Sequence, residues 1–127
     1  MTKQIISTEN APAAIGPYSQ AVKVGGTVYL SGQIPLHPES MEPVSSEFNE
    51  QAHQVFKNLS SVAQAAGGSL SDCVKLNVYV VDLGNFASLN DIMSDYFQEP
   101  YPARAAVQVA ALPKGALIEI DAVLCID

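Results

Sequence analysis

Between residues 45 and 66, apolar side chains recur at steps of three and four: Phe48, Ala52, Val55, Phe56, Leu59, Val62, Ala63 and Ala66. That spacing places them on one stripe of a helix, since a turn takes 3.6 residues. Ser45 or Ser46 can cap its start, and Gly67 with Gly68 can end it. A second stripe, Phe86, Leu89, Ile92, Met93, Tyr96 and Phe97, predicts a helix over about 85–97. Asn85 is its candidate N-cap, and Pro100 lies beyond its end. Shorter apolar or alternating runs predict strands over residues 4–7, 21–24, 28–31, 74–81, 105–110 and 117–126. Gly25 and Gly26 suit a hairpin turn between the second and third of these. The order is three strands, helix, strand, helix, two strands. It predicts an α+β fold, one sheet of about six strands with both helices on one face.

Alternation within the strands refines this picture, because successive strand side chains point to opposite faces. Ile118, Ile120, Ala122, Leu124 and Ile126 share a face that should pack on the helices. Leu117, Glu119, Asp121, Val123 and Cys125 share the other. Val74, Leu76, Val78 and Val80 alternate with Lys75, Asn77, Tyr79 and Val81. Arg104, Ala106, Gln108 and Ala110 alternate with Ala105, Val107 and Val109. The second face of the sheet is therefore mixed, and less polar than a fully solvated face. A layer from another subunit would suit it, which predicts a homo-oligomer.

The 127 residues, 48% of them hydrophobic and 15% charged, fit one folded domain over 1–127, and no linker or repeat divides them. Thirteen acidic residues against six basic ones leave a net charge of −7, which repels phosphate backbones and anionic membrane surfaces. No apolar run approaches the roughly 20 residues of a membrane helix, and no signal-peptide pattern opens the chain. Cys73 and Cys125 form neither a metal-type spacing nor a disulfide framework, which points to a reducing cytoplasm. With two histidines far apart, no metal site is expected.

Arg104 is the only arginine. It follows the stiff segment Pro100-Tyr101-Pro102-Ala103 and is either a solvated strand-end cation or a carboxylate anchor. Only a guanidinium offers a planar fork matched to a carboxylate. Glu119 stands between Ile118 and Ile120. Either it faces water or a lysine, or it is a partly buried carboxylate suited to moving protons to and from water. Asp121, two residues on, reads as a surface acid, although a like charge there could raise the pKa of a neighbour. Asn90 points near the apolar stripe of the second helix, where it either bonds local backbone or reaches over the sheet edge to a ligand or loop. Tyr18 and the Ser31-Gly32 pair lie in turn-like segments that could border a ligand. His37 and His53 read as solvated.

Gly16-Pro17-Tyr18-Ser19-Gln20-Ala21, Ser31-Gly32-Gln33-Ile34-Pro35, Pro102-Ala103-Arg104, Leu112-Pro113-Lys114 and Ile118-Glu119-Ile120 occur in this order. Together they resemble the RidA/YjgF family of enamine/imine deaminases over nearly the whole chain. The resemblance implies a trimer of chorismate-mutase-like α+β chains with clefts between subunits, and no cofactor or metal. It implies hydrolysis of reactive 2-imino or 2-enamino acids, such as 2-iminobutanoate and 2-iminopropanoate, to 2-keto acids and ammonia. Carried over by residue, Arg104 would bind the substrate carboxylate and Glu119 would orient or activate water. Tyr18, Ser31, Gly32, Asn90, Ala105 and Ala106 would line the cleft. Ala106 stands where many bacterial members carry cysteine, so no thiol acts there, and only backbone groups remain at Ala105 and Ala106. Two other readings stay open. One is a non-catalytic trimer that binds or senses small carboxylic acids. The other is endoribonuclease activity, claimed for some relatives, against which the net charge argues.

Overall fold

The computed structural model describes residues 2–127. The strands are β1 (Lys3–Ile6), β2 (Ala21–Val24), β3 (Thr27–Gln33), β4 (Cys73–Val80), β5 (Ala103–Gln108) and β6 (Ile118–Cys125), and the helices are α1 (Phe48–Ala65) and α2 (Phe86–Met93). All six strands join one mixed sheet in the order β1-β2-β3-β6-β4-β5. The β4–β5 pair is parallel and joined through α2, and every other pair is antiparallel.

Both helices pack on one face, as the alternation requires. The buried stripe of α1 forms one core with Val28 and Leu30 of β3, Leu76, Val78 and Val80 of β4, and Ile118, Ile120, Ala122 and Leu124 of β6. Phe56, fully buried, stacks on Tyr96 at 4.9 Å and meets Phe97 edge-on at 5.9 Å, which joins α1 to the segment after α2. Phe56→Ala is expected to cost about 3–5 kcal/mol, since a cavity is left where three aromatic rings met. Denaturant unfolding measures this loss.

Local chemistry accounts for the helix ends. Gly67, at φ 95°, adopts the left-handed conformation that closes α1, with Gly67 donating to the Gln64 carbonyl and Gly68 to the Ala63 carbonyl. At the other end the expected serine cap is absent, and Glu47 holds the N-cap position without a side-chain bond. Ser45 instead organises the turn before the helix: its Oγ accepts from Glu47 N–H at 2.9 Å and donates to Glu50. The second helix is shorter than its stripe predicts. Asn85 makes no side-chain cap, and the Asp82 carboxylate accepts from Gly84 in the turn ahead of it. After Met93 the chain tightens into turns, yet Tyr96 and Phe97 still reach the core.

One position of β4 departs from simple alternation. A bulge between Cys73 and Lys75 gives β4 an extra residue opposite β6, so Cys73 is buried and Val74 is 45% exposed. No helix among the described residues is long and apolar enough to cross a membrane.

Candidate active site

Register decides which face receives each chemical group. Arg104 pairs with Leu76, and Ala106 with Val78, so both lie on the helix-covered face of the edge strand β5. There α2 meets the arginine with three residues at helical spacing, Phe86, Asn90 and Met93. The Arg104 Nη1 donates to Asn90 Oδ1 at 2.7 Å and to Met93 Sδ at 3.3 Å, and its Cζ lies 4.9 Å from the centre of the Phe86 ring. Asn90 therefore neither caps local backbone nor reaches past the sheet; it steers the guanidinium. Met93, Phe97, Tyr101 and Pro102 enclose a hollow of about 330 Å³ beside Arg104 and Asn90. Val109 N–H donates to the Val80 carbonyl at 2.8 Å. Strand alternation then turns the N–H groups of Arg104 and Ala106 off the free edge of β5. Ala105 lies on the opposite face and is exposed.

Glu119 lies on the open face of the sheet, directly across from Tyr79. A second bulge, at Ser31 and Gly32, separates the Leu30–Ala122 and Gln33–Ile120 pairs. It brings the Gly32 backbone so close that a Cβ there would lie 3.0 Å from Glu119 Cδ, so only glycine fits without displacing the carboxylate. The Ser31 hydroxyl donates to the Ser19 carbonyl at 2.5 Å, and Ser31 N–H to the Gln20 carbonyl at 3.0 Å. These bonds tie the bulge to the Tyr18 segment. Tyr18, 52% exposed, accepts from Ile15 N–H, and with Gly32, Ile34, Pro113 and Lys114 it borders a second hollow of about 370 Å³. Burial, and then the charge of Asp121, pushes the Glu119 carboxyl above the usual range for glutamate. Asp121 itself is no free surface acid. It is half-buried and accepts from Asn77 Nδ2 at 2.8 Å and Tyr79 OH at 2.9 Å.

The candidate residues therefore form two groups within one chain. Tyr18, Ser31, Gly32 and Glu119 lie at the open face; Arg104, Asn90 and Ala106 lie at the helix side of β5. Arg104 and Glu119 sit two strands and three residues apart, about 14 Å between Cα positions at ordinary sheet spacings. Their side chains point to opposite faces.

Some residues that shape these groups escape the sequence reading. Phe86 and Met93 were legible only as apolar stripe, although their spacing from Asn90 puts all three on one side of α2. Gln51, buried, holds the chain entering β6 by accepting from Leu117 N–H at 2.8 Å. His53 is not simply solvated: its Nδ1 pairs with Tyr96 OH at 2.8 Å, because the turn after α2 folds back on α1. His37 is exposed, as expected. Among the described residues no group of three or more His, Cys, Asp or Glu could hold a metal ion.

Comparison with known proteins adds to this geometry. A family model described as Endoribonuclease L-PSP matches residues 8–126. A 2-iminobutanoate/2-iminopropanoate deaminase of Homo sapiens is 49% identical over 123 residues, covering 97% of this chain and 90% of its own length. The crystal structure of RidA from an Antarctic Psychrobacter superposes with TM-score 0.94 at 58% identity, covering 97% of this chain and 99% of that one. The crystal structure of E. coli TdcF with bound serine superposes with TM-score 0.92 at 40% identity, covering 98% and 99%.

Proposed function

This chain belongs to the RidA/YjgF family, the family of the Endoribonuclease L-PSP model, and on that premise we propose that it hydrolyses 2-imino and 2-enamino acids to 2-keto acids and ammonia. Its substrates are small reactive acids such as 2-iminobutanoate and 2-iminopropanoate, the compounds named for the human relative. The observation that carries the reading is Arg104. One edge of its guanidinium is held by Asn90 and Met93, and the residue borders a hollow sized for a small acid. A guanidinium so oriented is a carboxylate anchor, and the outward N–H of Ala106 offers a further donor.

The reaction asks little else of the protein. The imine carbon is already electrophilic. Water forms the C–O bond and gives one proton to the Glu119 carboxylate while the C=N electron pair moves to nitrogen, and Glu119 passes that proton on to nitrogen. Glu119 then takes the hydroxyl proton of the carbinolamine and delivers it to the amine nitrogen, so that the C–N bond breaks and ammonia leaves with the electron pair. A carboxyl held above its usual range serves both directions of proton transfer.

Arg104 and Glu119 cannot meet on one substrate within a single chain, so the complete site takes the β5–α2 side of one copy and the open sheet face of the next. Such a head-to-tail contact joins two different surfaces and repeats until a ring closes. We take that ring to be the chorismate-mutase-like trimer of the family, each copy acting as one domain. The open face suits the role, since Tyr29 is 55% and Val107 48% exposed there. Sedimentation at micromolar concentration should give three times the chain mass; a stable monomer would leave the site incomplete.

The direct test generates 2-iminobutanoate and 2-iminopropanoate in situ with an amino-acid dehydratase or oxidase. Faster appearance of the 2-keto acid with this protein is the expected result, and an unchanged rate would defeat the proposal. The setting we propose is cytoplasmic, with no cofactor and no nucleic-acid or membrane partner. The net charge of −7 opposes an RNA substrate, and no RNA binding is expected even at low salt.

A further inference from the structure

We propose that Asp121, held in place by Asn77 and Tyr79, is a positioning residue that tunes Glu119, its neighbour on the strand, for handling the proton. The inference rests on the reading of Glu119 as the group that handles the proton, and extends it to the residue that sets its state.

The geometry begins with the strand period. Glu119 and Asp121 are two residues apart on β6 and share the open face, so their side chains are neighbours whose Cα positions lie about 7 Å apart along the strand. The strand across from them decides how they differ. Asn77 pairs with Asp121 and Tyr79 with Glu119. Yet the Tyr79 hydroxyl does not serve its own partner; it leans diagonally to Asp121 Oδ2 at 2.9 Å, while Asn77 Nδ2 takes Oδ1 at 2.8 Å. Each oxygen of Asp121 thus has a donor, which holds the carboxyl in place beside Glu119. Glu119 receives no side-chain hydrogen bond from the described residues. It is half-buried, with the Gly32 backbone against its carboxyl.

A second carboxyl this close opposes ionisation of Glu119, which has no side-chain donor among the described residues to counter it. Glu119 is thereby the group that takes up and releases the proton. Neighbouring carboxyls divided by environment in this way take different parts in one site. The raised range of Glu119 agrees, with burial the larger cause and Asp121 the second. The Tyr79 hydroxyl is likewise pushed up, chiefly by its bond to Asp121, so it remains a donor. Within one chain the other titratable groups near Glu119 do not offset Asp121; in the proposed ring the Arg104 of the next copy faces Glu119 from across the substrate, in the wild type and the Asp121 variants alike. On this face β4 carries Lys75, opposite Val123 and beyond Asp121, and β3 carries Tyr29, also opposite Val123. Gly32 and Val107 bring no charge from β3 and β5. Lys114, across the hollow from Gly32, is engaged with the Met41 carbonyl and lies 3.9 Å from Glu42.

The test titrates the Glu119 side-chain carboxyl by carbon NMR in the wild type, Asp121→Asn, Asp121→Ser and Asp121→Glu, and follows the acid limb of kcat for 2-iminobutanoate in the same proteins. Removing the neighbouring charge should lower the Glu119 midpoint by about half a unit to one unit, a range set by partial solvent screening. The acid limb should move to lower pH with it, and Asp121→Glu should restore both. Serine stands beside asparagine because it keeps a small polar group on the strand if the amide fits badly between Asn77 and Tyr79. An unmoved midpoint in folded Asp121→Asn or Asp121→Ser overturns the inference, as does lost activity at every pH without a shift. Failure of the wild type to hydrolyse the imino acid would sink the proposed reaction instead, since the NMR midpoint reads the carboxyl pair without substrate.

Discussion

Replacing Arg104 with alanine is expected to lower kcat/KM for 2-imino acids by about 10²–10⁴-fold while leaving the fold and the oligomer intact. A hydrogen bond to a charged partner is worth about 1.5–3 kcal/mol, and a carboxylate in the guanidinium fork would lose two. Each 1.4 kcal/mol is about tenfold. The loss should fall on substrate capture, because the imine carbon does not need the arginine to be electrophilic. Stability should change by only about 1 kcal/mol: Arg104 is half-exposed at an edge strand, and its Asn90 partner is itself exposed and can turn to water. Lysine at 104 should rescue poorly, since an ammonium keeps the charge and loses the planar fork. Wild-type turnover in Arg104→Ala, with sedimentation unchanged, would show that the anchor lies elsewhere.

Glu119→Gln separates the enzyme from a binding module. The amide keeps the shape beside Gly32 and cannot carry the proton, so kcat should fall by about 10²–10⁴-fold, or to the rate of the unaided reaction if that is reached first. KM should barely move, and calorimetry should still detect 2-keto-acid binding, because Arg104 is untouched. A trimer that only senses small carboxylic acids has no turnover to lose. Unaffected hydrolysis in Glu119→Gln would remove this carboxyl from the reaction.

The sign of the wild-type pH dependence follows from the direction of the Glu119 shift. With its carboxyl above the usual range for glutamate, the form able to accept a proton is lost earlier on acidification than for an exposed glutamate. Activity should therefore decline on a limb displaced upward in pH, and Glu119→Gln should abolish that limb together with most of the rate.

Much of the fold was legible because its signals are local. The stripe of α1 is visible in eight residues, and every one of them is buried. The alternation of β6 named its core face correctly, since strand parity holds wherever no bulge intervenes. It failed at Val74 because a bulge is a property of two paired strands: nothing in Cys73-Val74-Lys75 announces that β6 will leave one residue unmatched. His53 was misread for a similar reason, since its partner Tyr96 is 43 residues away.

The sequence by itself determined the two helices, the six strands, their order and the residue types able to bind an acid and move a proton. The period of hydrophobic burial and the chemistry of single side chains are properties of short stretches of chain. Only the tertiary structure decided that Arg104 faces α2 while Glu119 faces away, that Asp121 is saturated by two donors, and that Gly32 lies against the Glu119 carboxyl. Those facts depend on which strands pair and in what register, and a shift of one residue would send every side chain of a strand to the other face.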